Sequence, residues 1–253
     1  MNTILYKNSQ EIKIMQDGGE KLAFIRKHLE HYTHAGMSLQ DIEDRAQTMI
    51  KAAGGEAAFA RVPGYNWATC LNVNDSFVHG IPNKYILKEG DVLTIDIGIY
   101  YRGFNTDSST TFIVGGEKTA SPEINKFLAV GKQTLNKAIK TVKPGRRVGH
   151  ISRVIQAEIE KAGYNVSRNL TGHGIGRDLH EAPKIPCFLS EALEKTTQLE
   201  LGMCLAIEIL YLEGRADTIY GDDGWTIKSK DGKMTGVFEK TIAISADGSI
   251  VLT

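Results

Sequence analysis

Gly90-Asp91-Val92-Leu93-Thr94-Ile95-Asp96-Ile97 occurs a second time in this chain, as Gly202-Met203-Cys204-Leu205-Ala206-Ile207-Glu208-Ile209. Each copy is a glycine followed six places later by an acid, and Leu93, Ile95 and Ile97 match Leu205, Ile207 and Ile209. Aliphatic residues at alternate positions are the period-2 signature of a strand with one face buried, and they turn the acid to the other face. A carboxylate in so apolar a strand is costly to bury as a free charge and calls for a partner. One such strand in each half of the chain predicts two half-sites that face one another.

The repeat extends outward from these strands. Asn8-Ser9-Gln10-Glu11 has capping-box spacing and opens a helical period that runs to His34, weakened at Gly18-Gly19. Ser38-Leu39-Gln40-Asp41 caps a second helix, which Gly54-Gly55 stops. An irregular region around Pro63-Gly64-Tyr65 leads to a strand at 70–74, pointed toward His79-Gly80-Ile81-Pro82. After Asp96, Tyr101-Arg102-Gly103-Phe104 reads as a turn and 107–114 as an antiparallel return strand. The second half opens alike. Ser121-Pro122-Glu123 starts a helix to Lys143, and residues 145–163 repeat the spacing of 36–54, with Val148 and Ile151 where Leu39 and Ile42 stand. A strand at 204–212, a turn at 222–225 and a last strand at 237–245 complete it. Two long copies exclude a solenoid. They predict an α+β fold, a pseudo-twofold repeat of ααβ units around an antiparallel sheet, with helices on one face and a site on the other. One catalytic domain, 1–253, is expected, with halves at 8–115 and 121–253.

Composition narrows the partners. The 253 residues are 42% hydrophobic, and 30 basic residues balance 30 acidic ones, so no charge footprint points to nucleic acid or an anionic membrane surface. Cys70, Cys187 and Cys204 are odd in number and widely spaced, which fits a reducing compartment, and the cytoplasm is the expected location. Residues 1–8 lack the apolar core and cleavage site of a signal peptide, so the chain is expected to start in its mature form. No apolar run reaches the ~18 residues that span a membrane.

The chemistry lies with Asp96, Asp107, Glu208 and Glu239, joined by His173 in Gly172-His173-Gly174-Ile175-Gly176. Two carboxylates ~4 Å apart repel by about 4 kcal/mol even at an effective dielectric near 20, so four cannot converge without protons or cations. A protonated pair accounts for two of them, whereas two carboxylate-bridged divalent cations use all five side chains. The oxygen-rich set favours Mn, Fe(II) or Co over a thiolate zinc site. The glycines around His173 allow backbone to approach a ligand or metal. Their spacing is not that of a phosphate loop, and Pro183 and Pro186 follow in place of a helix, which argues against nucleotide binding. His28, His31 and His34 read as a solvated helix face.

These residues, with Asn74-Asp75, His79-Gly80-Ile81-Pro82, Gly103-Phe104, His180-Glu181-Ala182-Pro183 and Asp223-Gly224-Trp225-Thr226, give a chain that resembles type I methionine aminopeptidases from about residue 8 to the C-terminus. The resemblance implies the pita-bread fold and two divalent ions (Co, Mn or Fe(II), with Zn also accommodated) on Asp96, Asp107, His173, Glu208 and Glu239, Asp107 and Glu239 bridging. It implies attack by metal-activated hydroxide on the carbonyl after an N-terminal methionine, with Glu208 shuttling the proton, His180 stabilising the oxyanion and His79 contacting the scissile amide. Tyr65, Cys70, His79, His180 and Trp225 match positions that bind substrate in the family, and a methionine pocket wants such apolar, sulfur-tolerant walls. The implied activity is removal of the initiator methionine from nascent proteins with a small second residue, by a monomer in transient contact with the ribosome. The chain departs from the family pattern at Leu179 and Val62, where aromatics are usual, at Ile209, where proline is usual, and in the stretch 185–188, which lacks an Asn or His. Proline-directed peptidases of the same fold share the ligands but carry an additional N-terminal domain, for which the residues before Asp96 leave no room. A non-catalytic relative would have lost ligands, and all five are present here.

Overall fold

The computed structural model describes residues 3–253. The expectation about a mature start at Met1 lies outside the described residues. Helix α1, Ser9–Tyr32, begins at the anticipated box: the Asn8 side chain accepts from the N–H groups of Gln10 and Glu11, and Glu11 accepts from the Asn8 N–H at 2.8 Å. These bonds satisfy donors that a helix start leaves orphaned. Ser38 and Asp41 do the same for α2, Leu39–Ala52. Short strands β1 (Glu56–Ala57), β2 (Thr69–Val73) and β3 (Ser76–Val78) precede the long hairpin of β4 (Val92–Tyr101) and β5 (Phe104–Ile113). Arg102 and Gly103 turn that hairpin at φ 50° and 95°, the left-handed pair that matches strand twist. Then follow α3 (Pro122–Lys140), α4 (Val148–Lys161), β6 (Asn165–Val166), β7 (Thr171–Gly174), β8 (Glu181–Pro186), β9 (Cys204–Leu212), β10 (Thr218–Tyr220), β11 (Ile227–Ser229), β12 (Thr235–Ser245) and β13 (Gly248–Val251).

The aliphatic faces of the two repeated strands meet the helices. Leu93, Ile95 and Ile97 pack with Leu22, Ile25, Leu29 and Ile42, while Leu205, Ile207 and Ile209 pack with Ile151, Ile155 and Ile159. The opposite face of each strand is covered too, so β4 and β9 are buried on both sides over most of their length. In one antiparallel sheet β4 pairs with β1, β2 and β5; in the other the order is β13-β12-β9-β7-β8 with β6 also on β9. A small β10-β11-β3 sheet lies beside them. The two large sheets meet along β5 and β12 through threonine hydroxyls rather than a backbone ladder. Thr241 Oγ1 donates to Asp107 O and accepts from Asp107 N at 2.8 and 2.9 Å, and Thr111 Oγ1 does the same with Val237 O and N at 2.7 and 3.0 Å. Hydroxyls that substitute for backbone partners in this way continue the antiparallel arrangement across the seam. No helix among the described residues is long and apolar enough to cross a membrane.

The expectation of a weak point at Gly18-Gly19 needs correcting. Helix α1 is continuous there, and both glycines are buried because other chain segments press against them. A Cβ at Gly19 would stand 2.2 Å from the Leu252 carbonyl oxygen, and one at Gly18 would stand 3.1 Å from Tyr101 Cβ. Gly19→Ala is therefore expected to destabilise the protein by about 1–3 kcal/mol, the usual cost of overpacking. Urea melts check it; an unchanged midpoint would contradict the close contact.

Candidate metal and substrate site

Strand register decides what converges. Glu208 and Glu239 stand directly opposite each other on β9 and β12, Asp107 on β5 stands opposite Gly98, two residues beyond Asp96 on β4, and His173 on β7 stands opposite Ala206. All five side chains line one cavity of about 190 Å³. Donor atoms of Asp107, His173 and Glu239 lie within 4.8 Å of one another, and His173 Nε2 is 3.5 Å from Glu208 Oε1. The His173 Nδ1 is 2.8 Å from the Gly174 carbonyl, which can only accept, so the proton is on Nδ1 and the Nε2 lone pair faces the acids.

The electrostatics of the cluster are one-sided. Burial raises Asp96 to about 7. Burial first, then the charges of Asp96 and Glu208, push Asp107 well above the ordinary carboxylate range. Glu208 is raised by burial and Asp96, and Glu239 by burial, Asp107, Glu208 and Asp96. Burial and then His180 lower His173 to about 3, so it is neutral. No lysine or arginine pairs with these acids among the described residues, and Asp96 Oδ1 and Glu239 Oε1 are buried without a hydrogen-bond partner. Four carboxylates, a neutral imidazole lone pair and orphaned oxygens fit divalent cations.

Around this floor the cavity is apolar. Tyr65 meets Trp225 and Trp67 edge-on at 5.1 and 5.2 Å and donates its hydroxyl to Thr69 O at 2.8 Å. Cys70 pairs across the ladder with Asp96, and burial reinforced by that acid raises its thiol well above the usual range, so it is a neutral wall. His79 follows β3 at φ 56°, a region side chains other than glycine rarely adopt, and burial followed by His180 lowers its pKa. His180 stands at the rim, its ring 4.5 Å from that of His173, and desolvation lowers it as well. The anticipated Tyr65, Cys70, His79, His180 and Trp225 all line the cavity, together with Val62 and Leu179. Phe59, Leu170, Thr171 and Leu210 were not anticipated. Leu210 had a signal, since it lies two places from Glu208 on the same strand face. Ile209, where proline was expected, is fully buried on the helix side of β9 and leaves Glu208 facing the cavity.

The glycines around His173 are also where other segments of the chain come close. A Cβ at Gly172 would lie 2.6 Å from Ala206 O, at Gly174 2.2 Å from Ala182 O, and at Gly176 2.1 Å from Lys7 Cε. Gly172 and Gly174 let β7 pass close to its neighbours, Gly176 just beyond it leaves room for the Lys7 side chain, and His173 is a strand residue.

Residues 13–246 match metallopeptidase family M24. The chain belongs to that family. Among M24 relatives, methionine aminopeptidase 1 of Bacillus subtilis is 36% identical, over 99% of both chains. Methionine aminopeptidase A of Synechocystis is 35% identical over 100% of this chain and 98% of its own. The crystal structure of a methionine aminopeptidase from Thermotoga maritima superposes with a TM-score of 0.95 at 36% identity, covering 99% of each chain. A Xaa-Pro dipeptidase from Bacillus anthracis, at 22% identity, a TM-score of 0.77 and 62% of its length covered, shares the fold alone. The M24 chain thus has the α+β pita-bread fold, and its family is one of metal-dependent peptidases.

Proposed function

We propose that this chain is a methionyl aminopeptidase that removes the N-terminal methionine from nascent proteins and peptides with a small second residue. The observation that carries the reading is the uncompensated carboxylate cluster at the floor of an aromatic, sulfur-tolerant cavity sized for one side chain. Asp96, Asp107, His173, Glu208 and Glu239 would hold two divalent ions, Co, Mn, Fe(II) or Zn, with Asp107 and Glu239 placed to serve both. When bound, such a pair polarises the scissile carbonyl and lowers the pKa of water.

The protein's own groups do the rest. Tyr65, Cys70 and Trp225 enclose the methionine side chain and exclude water, and both polar members are neutral. His79 contacts the scissile amide. His180 is neutral at pH 7 and donates to the carbonyl oxygen as that atom gains charge. Glu208 takes a proton from the attacking water and returns it to the leaving amine. Residues 1–253 act as one catalytic domain, halves 8–115 and 121–253 supplying two and three of the five ligands. The enzyme works in the cytoplasm as a monomer, with transient ribosome contact.

Initial rates on Met-Ala-Ser, Met-Gly and Xaa-Pro peptides after reconstitution with Mn, Fe(II), Co and Zn in turn test this. Methionine release from the first two is expected, and cleavage of the Xaa-Pro set alone overturns the assignment.

A further inference from the structure

The turn that carries His180 is tied to a residue far away in sequence. Lys7 and Glu181 form an ion pair whose side chains are 1% and 2% exposed. Enclosure of this kind is poor grounds for assigning stability, because desolvating two charges offsets most of their attraction. Its hydrogen bonds are more informative. The Glu181 carboxylate accepts from Lys7 through Oε2 and from the Asp178 backbone N–H, at 3.2 Å, through Oε1. It thereby closes the turn 178–181, with His180 inside it. The Lys7 ammonium also donates to Leu5 O at 2.9 Å, and its backbone N–H donates to Gly202 O at 2.7 Å, just ahead of the strand bearing Glu208. Gly176 lacks a side chain where the Lys7 stem passes.

The His180 ring itself has no such support. Among the described residues it makes no hydrogen bond, and its ring contact is the edge-on one with His173. Its position is inherited from the backbone of the turn. We infer that Lys7 and Glu181 are positioning residues for His180, the ion pair fixing the turn so that the imidazole meets the substrate carbonyl oxygen. This rests on the reading of His180 as the donor to that oxygen. A charged pair suits the task because charge-assisted bonds are directional and the carboxylate serves two donors at once.

A double-mutant cycle tests it. With Met-Ala-Ser as substrate and the reconstituted enzyme, Lys7→Met is expected to lower kcat about tenfold, since a small misplacement of a reacting group is costly. KM and metal content should stay within about twofold. In a His180→Ala background the same change should cost less than about twofold, because the group it positions is gone. The neutral pair Lys7→Met/Glu181→Gln keeps an acceptor for Asp178 N–H and leaves no unpaired charge. Its melting temperature should return toward wild type while kcat stays low, and it replaces Lys7→Met in the cycle should that variant not fold. Recovery of kcat with stability, or an equal loss in both backgrounds, overturns the inference and leaves the proposed function standing. A His180→Ala enzyme with the wild-type rate overturns the role of His180 itself, and this inference with it.

Discussion

Asp107→Ala is expected to lower kcat by on the order of 10³-fold or more, the equivalent of several kcal/mol of lost transition-state stabilisation. The reason lies in its position. Asp107 is among the three residues whose donor atoms come within 4.8 Å of one another, and burial, Asp96 and Glu208 all act against its charge. Besides the Ser108 N–H, which donates to Asp107 Oδ1 at 2.9 Å, nothing cationic in the chain offsets that charge, so on the proposed assignment its removal should leave one tightly held metal in place of two. Loss of activity through unfolding makes the opposite demand on the metal-free protein. Removing one carboxylate relieves repulsion in that cluster, so the metal-free variant should melt at or above the wild-type temperature. Metal analysis, initial rates on Met-Ala-Ser and a metal-free melt together decide it. Two retained ions with more than about a tenth of the wild-type rate would sink the assignment of Asp107 as a shared ligand.

The parts of this protein legible in its sequence are those governed by local periodicity. The alternation at Leu93, Ile95 and Ile97, and again at Leu205, Ile207 and Ile209, marks β4 and β9 because each of those side chains is driven against a helix pair. The boxes at Asn8 and Ser38 mark helix starts because the bonds they make are local. Legibility fails where tertiary contact decides. Thr171–Gly174 holds two glycines and Glu181–Pro186 two prolines, a composition poor in β propensity, yet pairing with β9 and with each other makes both strands. The glycines at 18, 19, 172, 174 and 176 announce that a side chain is excluded, but not by what. Lys7 and Glu181 are 174 positions apart, and nothing local to either names the other.

The second large effect is a stability that depends jointly on metal and pH. At about 1,000 times the dissociation constant a bound ion adds about 4 kcal/mol, which for a chain of this size raises the melting temperature by roughly 8–16 °C. The pH dependence follows from the carboxyls. Asp96, Asp107, Glu208 and Glu239 all have folded pKa values above the ordinary range, so without metal the folded state binds their protons more tightly than the unfolded state does. That contribution to stability is complete below about pH 4 and disappears as pH climbs through the folded values, about 7 for Asp96. His79, His173 and His180 act in the opposite sense. Their folded values are depressed, so they destabilise the fold as pH falls below 6.5, where the unfolded chain takes up their protons. Below pH 6.5 the two groups offset each other; between pH 6.5 and 8 the histidine contribution fades, and the four carboxyls outweigh what is left of it together with Lys240, whose folded value, lowered by burial to about 8, acts in the same sense as the histidines. In that window the metal-free protein should lose stability as pH rises, while the gain on adding Mn or Co should grow, because protons compete less for the same oxygens. Melts with and without metal at pH 6.5, 7.25 and 8 measure both slopes. A metal-free melting temperature that rises across the window, or a metal increment that shrinks, would mean the four acids are neutralised by something other than the cations assigned to them.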